Sequence, residues 1–167
     1  MKGERGHRKV SLLEFLAIMT DYSIGEVELT YKNKVAYSKR KKIASSKDAN
    51  DQFREFANPD TMDYKEHFYV LFLNQSGHLT GYQTQASGGI SSCQPDIRQI
   101  LQGALLTNSS GIIIAHNHPS GNNSPSIEDR NLTKQIGDAC RIMNLRLLDH
   151  IILTSERYYS FSDEGEL

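Results

Sequence analysis

The stretch from His116 to Asp129 constrains this 167-residue chain more than any other part of it. It follows an apolar run rich in β-branched residues, Gly111-Ile112-Ile113-Ile114-Ala115, which predicts a fully buried strand. Because side chains alternate along a strand, His116 and His118 are expected on the same face. Pro119 cannot donate a hydrogen bond to a neighbouring strand, so the strand is expected to end there.

The residues that follow predict a loop and then a helix. Residues 120–125 contain Gly, Asn, Ser and Pro, the residue types that favour turns. Ser126 opens a helical pattern of apolar residues, and Asp129 falls in its first turn. The loop can therefore fold back and bring Asp129 to the two imidazoles.

Two imidazoles and a carboxylate are a suitable first shell for zinc, which in catalytic sites leaves a fourth position for water. Water bound to such an ion is acidic near neutral pH, with a pKa of about 7. A purely structural interpretation also exists for each residue. Ser126 and Asp129 match a capping box, and His116 and His118 could be hydrogen-bonded core side chains.

A longer pattern favours the metal. The spacing His116-x-His118-Pro119, six residues, Ser126-x-x-Asp129 resembles the signature of the JAMM (MPN-plus) metalloproteases. With Asn117 between the histidines and Leu148-Asp149-His150-Ile151-Ile152 downstream, it is most similar to the RadC branch of that superfamily. The resemblance runs from about Tyr64 to Leu167. Most JAMM proteases carry Ser or Thr in place of Asn117, so the substrates of the deubiquitinases do not transfer to this chain.

The resemblance implies a mechanism. Zn²⁺ would be bound by His116, His118 and Asp129, and metal-activated water would cleave a peptide or isopeptide bond in a protein or peptide substrate. A Glu at the start of an early strand would act as general base and then as proton donor, and Glu66 matches that place. The Ser of the motif, Ser126, would help to hold the developing oxyanion.

Two further residues are left open by the sequence. Glu128 is the rival general base, but neighbours on a helix diverge by about 100°, so it is expected to point away from the metal. His150 follows Asp149 on a predicted buried strand. It could orient a ligand or the substrate, or it could be a hydrogen-bonded core histidine.

The predicted fold class is α/β (α+β), a mixed β-sheet flanked by helices. The resemblance implies a cytidine-deaminase-like JAB/MPN core. We predict two parts: residues 1–60 as an N-terminal appendage of a helix, a short hairpin and a second helix, and residues 61–167 as the metal-binding domain. Val35–Tyr37 is the predicted second arm of the hairpin, and the second helix is predicted from Ser45 or Ser46 to Phe56. His67 and His78 are predicted on the solvent side of the first hairpin of the domain.

The net charge of −1 does not indicate nucleic acid, but the charge is uneven. Residues 31–47 contain seven basic residues and no acid. The cluster Lys39–Lys42 could be a solvated strand edge that prevents sheet extension, or a surface that contacts phosphate. The second interpretation supports an alternative function that RadC-like proteins suggest: a DNA-repair-associated or mobile-element accessory protein that binds nucleic acid or protein and has a non-catalytic metal site.

No apolar run approaches the roughly 20 residues of a membrane helix, and no signal-peptide core follows Met1, so we predict a cytoplasmic protein without a membrane partner. The two cysteines, Cys93 and Cys140, have no metal-type spacing and are not expected to form a disulfide. Cys140 is predicted to lie in the core. A homo-oligomer is possible through the exposed edge of the N-terminal hairpin.

Overall fold

The computed structural model describes residues 35–87 and 95–167 of the chain. The predicted first helix and the first arm of the N-terminal hairpin lie outside the described residues, as does Cys93. The elements, in chain order, are a 3₁₀ turn Tyr37–Lys39, helices α1 Ser46–Phe56 and α2 Pro59–Met62, strands β1 His67–Leu73 and β2 Leu79–Ser87, helix α3 Ile97–Leu106, strand β3 Gly111–Asn117, helix α4 Ile127–Ile142, and strands β4 Arg146–Leu153 and β5 Tyr158–Ser160.

The strands form one sheet in the order β2-β1-β3-β4-β5. β1 pairs antiparallel with both β2 and β3, β3 pairs parallel with β4, and β4 pairs antiparallel with β5. The parallel pair is connected through α4, since parallel neighbours need a crossover. The predicted mixed sheet flanked by helices is confirmed.

Both faces of the sheet are covered, and its central strands are mostly apolar. All seven residues of β1 and of β3 are buried. Alternate side chains of these strands enter two separate cores. One core includes Phe53 of α1 and Ile113 of β3, and the other includes Ile100 of α3 and Ile136 of α4. The even-numbered side chains of β3 therefore face α4, and the odd-numbered ones face α1.

The helix predicted from Ser45 or Ser46 to Phe56 is α1, and Ser45 caps it by accepting a hydrogen bond from the backbone N–H of Asp48 at 3.1 Å. Phe53 is fully buried against the sheet. Residues 46–56 of the predicted appendage thus share a core with the sheet. Residues 1–34 of the appendage lie outside the described residues.

Two local predictions are wrong. Val35–Tyr37 does not form a strand, because the chain makes a 3₁₀ turn in which the carbonyl of Ala36 accepts from the N–H of Lys39 at 2.9 Å. His67 is not on the solvent side. It is 9% exposed and its Nε2 lies 2.9 Å from the hydroxyl of Thr61, since both faces of β1 are covered. Burial and the nearby Lys65 lower the pKa of His67.

Candidate metal centre

The end of β3 and the beginning of α4 bring three metal-ligand side chains together. One donor atom from each of His116, His118 and Asp129 lies within 4.8 Å of the other two. The histidine Nε2 atoms are 2.9 Å apart. Asp129 Oδ1 is 3.1 Å from Nε2 of His116, and Oδ2 is 3.5 Å from Nε2 of His118. We call these residues the His-His-Asp cluster; among the residues that the structure describes, no other group of this kind is found.

Asp129 serves the helix and the cluster at the same time. Its Oδ2 accepts from the backbone N–H of Ser126 at 2.8 Å and from the Ser126 hydroxyl at 2.6 Å, and its own N–H donates to the Ser126 hydroxyl at 3.1 Å. This is the predicted capping box. The structural interpretation and the metal interpretation of Asp129 are therefore compatible, because the same carboxylate also faces both histidines.

The second ring nitrogen of each histidine has its own partner. Nδ1 of His118 lies 2.7 Å from the carbonyl oxygen of Asn122 in the loop after β3. A carbonyl only accepts, so Nδ1 of His118 carries the proton and Nε2 is free to bind a metal. Nδ1 of His116 lies 2.9 Å from Nε2 of His150, which is fully buried.

Electrostatics favour a charged carboxylate in the cluster. Burial raises the pKa of Asp129, but the imidazoles of His116 and His118 beside its carboxylate outweigh burial and hold that pKa well below its usual range. Burial lowers the pKa of His118, but its hydrogen bonds to Asp129 and to the Asn122 carbonyl outweigh burial, so the pKa is raised overall. Asp129 is therefore ionised at neutral pH.

The cluster has the composition and spacing of a metal site. Tetrahedral zinc with nitrogen ligands at about 2.0–2.1 Å places neighbouring donors about 3.3 Å apart. The observed separations of 2.9, 3.1 and 3.5 Å fall around that value. Lone pairs on two nitrogens and a carboxylate repel at these distances unless a proton or a cation lies between them. The three residues therefore fit a metal ion.

Glu66 lies directly before β1 and is half-buried. Its negative charge is the smallest of the named contributions to the raised pKa of His118. The side chain of Glu128, in contrast, is exposed. The general-base role of Glu66 stays a prediction.

Asn117 holds the segment that carries Glu66. Its side chain is fully buried and points away from the histidines, as alternation along β3 requires. Its Oδ1 accepts from the N–H of His67 at 2.8 Å. Its Nδ2 donates to the carbonyls of Met62 at 2.6 Å and Lys65 at 2.9 Å. From the sequence, Asn117 stands out only as a departure from other JAMM proteases, although its alternation with the two histidines indicates that it faces the opposite side of the sheet.

Ser126 is exposed at the N-cap of α4, where its hydroxyl donates a hydrogen bond to Asp129. Donation to an oxyanion would require this proton to turn away from the carboxylate. The role of Ser126 as an oxyanion donor stays a prediction. Cys140, as predicted, is buried in the core, and burial raises the pKa of its thiol to about 11.

Two of the four side chains in the predicted basic cluster Lys39–Lys42 interact with neighbouring residues. Lys41 forms an ion pair with Glu55, and the guanidinium of Arg40 lies 5.7 Å from the centre of the Tyr37 ring. Lys39 and Lys42 are exposed, and Lys42 makes an isolated β-bridge with His78. Both interpretations of Lys39–Lys42 therefore stay open. No helix in the described ranges has the length and apolar character needed to cross a membrane.

The fold and the site together define an α/β domain with a candidate mononuclear metal centre at the end of its central strand. Residues 43–166 match the RadC-like JAB domain family. The chain therefore belongs to the RadC-like JAB domain family, and the resemblance noted from the sequence is confirmed.

Similar proteins come from several bacteria. The chain is 40% identical to the UPF0758 protein of Flavobacterium johnsoniae over 127 residues, which are 76% of this chain and 54% of the relative. It is 37% identical to the UPF0758 protein YfjY of Escherichia coli over 103 residues, which are 62% of this chain and 64% of the relative. It is 41% identical to the UPF0758 protein of Porphyromonas gingivalis over 104 residues, 62% and 46% of the two chains. The chain thus spans about half the length of the curated relatives it matches.

Proposed function

We propose that this protein is a zinc-dependent hydrolase of the JAMM type that cleaves a peptide or isopeptide bond. The convergence of the His-His-Asp cluster within 4.8 Å is the observation that carries the proposal. Membership of the RadC-like JAB domain family supports it. When bound, zinc supplies a Lewis acid that polarises the scissile carbonyl and lowers the pKa of water to about 7.

The residues of the chain supply binding and proton transfer. Nε2 of His116, Nε2 of His118 and the Asp129 carboxylate hold the ion. Glu66 accepts a proton from the attacking water and passes it to the nitrogen of the leaving amine. Ser126 donates a hydrogen bond from its hydroxyl to the carbonyl oxygen as negative charge develops there, and gives up its hydrogen bond to Asp129 to do so.

Turnover in a matched pair of variants tests the assignment. The zinc-loaded wild type, Glu66→Gln and Glu128→Gln are incubated with peptide libraries and isopeptide-linked peptides, and products are identified by mass spectrometry. We expect Glu66→Gln to keep its zinc and to lose about 100- to 10,000-fold in turnover, the usual contribution of a general base. Glu128→Gln should retain both.

The opposite pattern, with turnover lost in Glu128→Gln and kept in Glu66→Gln, would show that the base is wrongly assigned. No cleavage by wild-type protein that holds zinc would contradict the hydrolase proposal and favour the second candidate.

The second candidate is an accessory protein that binds nucleic acid, with a non-catalytic metal site. The exposure of Lys39 and Lys42 in a segment of seven basic residues favours it. DNA binding that weakens with salt, and weakens further in Lys39→Gln/Lys42→Gln, would support this function because phosphate contacts release counterions. No binding at low salt would remove it.

A further inference from the structure

His150 lies on β4, in contact with His116 of the His-His-Asp cluster, and is completely buried. Its ring stacks on Phe161 with the ring centres 4.7 Å apart and the planes 10° from parallel. Phe68 covers it from another side, with ring centres 6.2 Å apart. The aromatic contacts fix the plane of the imidazole, so each of its nitrogens meets one defined partner.

Those partners form a chain of hydrogen bonds. The hydroxyl of Thr133 on α4 donates its single proton to the backbone carbonyl of Asp129 at 2.6 Å, because a carbonyl can only accept. Towards Nδ1 of His150, at 2.7 Å, the same hydroxyl must then accept. Nδ1 of His150 therefore carries a proton.

The remaining direction follows from charge. The ring nitrogens of His150 contact a hydroxyl and another imidazole, neither of which offsets a buried positive charge, so the ring is neutral. A neutral ring with its proton on Nδ1 has a lone pair on Nε2. Nε2 of His150 accepts from Nδ1–H of His116 at 2.9 Å, which leaves Nε2 of His116 without a proton and facing the cluster.

We propose that Thr133 and His150 are positioning residues that hold His116 in the tautomer able to bind the metal. This inference rests on the proposed function, since it assigns these residues to the same metal centre. The chain of hydrogen bonds ends on the main chain of Asp129, whose carboxylate faces His116 from the other side. One turn of α4 thus supplies a ligand and also orients the ring of a second ligand.

Thr133→Val and Thr133→Ser are a matched pair for the test. Valine keeps the shape of threonine and lacks the hydroxyl, whereas serine keeps the hydroxyl. We measure zinc affinity by chelator competition on the full chain, with circular dichroism to show that each variant is folded. Loss of an outer partner of a metal-binding histidine costs about 10- to 100-fold in affinity, and we expect this loss for Thr133→Val. Thr133→Ser should remain within about threefold of wild type.

Nitrogen-15 NMR of histidine-labelled, zinc-loaded protein supplies a readout that a merely structural role would not change. In the wild type and in Thr133→Ser, His116 should carry its proton on Nδ1 and coordinate through Nε2. In Thr133→Val, Nδ1–H of His150 has no acceptor, so a second His150 tautomer and an altered His116 signal are expected. His150→Gln, which can still accept from His116, should bind zinc more tightly than His150→Leu.

The outcomes separate this inference from the proposal on which it rests. Equal zinc affinity and unchanged His116 signals in Thr133→Val would overturn the relay, which is the chain of hydrogen bonds from His116 through His150 and Thr133 to the Asp129 carbonyl, and would leave the metal centre intact. Absence of zinc binding in the wild type would overturn the metal centre itself, and the relay with it.

Discussion

The two histidines of the cluster are two residues apart in sequence, yet different kinds of structure hold them. His116 is 6% exposed, stacks on Phe68 and hydrogen-bonds to His150, so buried side chains fix it. His118 lies past the end of β3, is half-buried, and hydrogen-bonds to a main-chain carbonyl of the following loop. We call these the buried side and the loop side of the metal centre.

The difference shows which parts of the sequence can disturb the site. On the buried side, side chains far apart in sequence set the ligand, so single substitutions can change it. On the loop side, the main-chain carbonyl of Asn122 sets the ligand, and replacing the Asn122 side chain keeps that carbonyl. The predictions below test this contrast.

Removing either histidine should give the largest effect on metal binding, with different consequences for stability. Both His116→Ala and His118→Ala should lose more than the roughly 100-fold in zinc affinity that an outer partner can cost. In the metal-free protein, His116→Ala should lower the free energy of unfolding by about 2–4 kcal/mol, through a cavity and an unpaired His150. Urea unfolding should place His118→Ala within about 1 kcal/mol of wild type. Equal destabilisation by His116→Ala and His118→Ala would contradict the difference between the buried side and the loop side.

Asn117 is also fixed by buried contacts, but on the opposite face of the sheet from the metal centre. Asn117→Ala leaves the N–H of His67 and the carbonyls of Met62 and Lys65 without this partner. At about 1–3 kcal/mol for each buried group left unpaired, with partial relaxation, we expect a loss of about 2–5 kcal/mol in urea unfolding. Zinc stoichiometry in saturating metal should not change, because the three ligands remain. Loss of zinc with unchanged stability would contradict this account of Asn117.

The loop side should control the pH dependence of metal binding. The pKa of His118 is raised above its ordinary value of 6.5, so its imidazolium persists to a higher pH than usual and a metal must displace that proton. Zinc affinity should therefore fall as the pH falls, approaching about tenfold per unit below that pKa, since one proton competes. Calorimetry in buffers of different ionisation enthalpy should count more released protons at about pH 6.5 than at about pH 8. Equal proton release at both would be inconsistent with a raised pKa.

Asn122 should give the smallest effect. Its carbonyl, not its side chain, accepts from His118, and its Oδ1 accepts from the N–H of Ser124 at 3.1 Å. Asn122→Ala keeps the carbonyl, so zinc affinity should change by less than about threefold, well short of the cost of losing an outer partner. Chelator competition beside Thr133→Val compares the two sides directly. A larger loss of zinc affinity in Asn122→Ala than in Thr133→Val would contradict the difference between the loop side and the buried side.

Much of the fold could be predicted because the pattern of apolar residues is strong. The run before His116 is a buried strand, and Ser126 begins a capped helix, as the sequence indicates. Val35–Tyr37 was wrongly predicted because a short apolar segment can also turn, and His67 because both faces of the first hairpin strand are covered.

The metal cluster could be proposed from the sequence because its three residues lie within fourteen positions and are joined by one loop. The relay could not be proposed from the sequence. His116, Thr133 and His150 come from three different elements, and their contact depends on the register of β4 beside β3 and on the rotation of α4. A Thr in a helix and a His in a strand are ordinary residues until that packing is known.

Metal content tests the central claim most directly. Zinc is measured by elemental analysis in protein purified without chelator or affinity metal, beside Asp129→Ala prepared in the same way. The metal centre predicts about one zinc for each wild-type chain, the number that one cluster of three protein ligands and water can hold, and little or none in the variant. Wild-type protein without zinc, even after reconstitution, would contradict it, and the motif would then be a capped helix beside two core histidines.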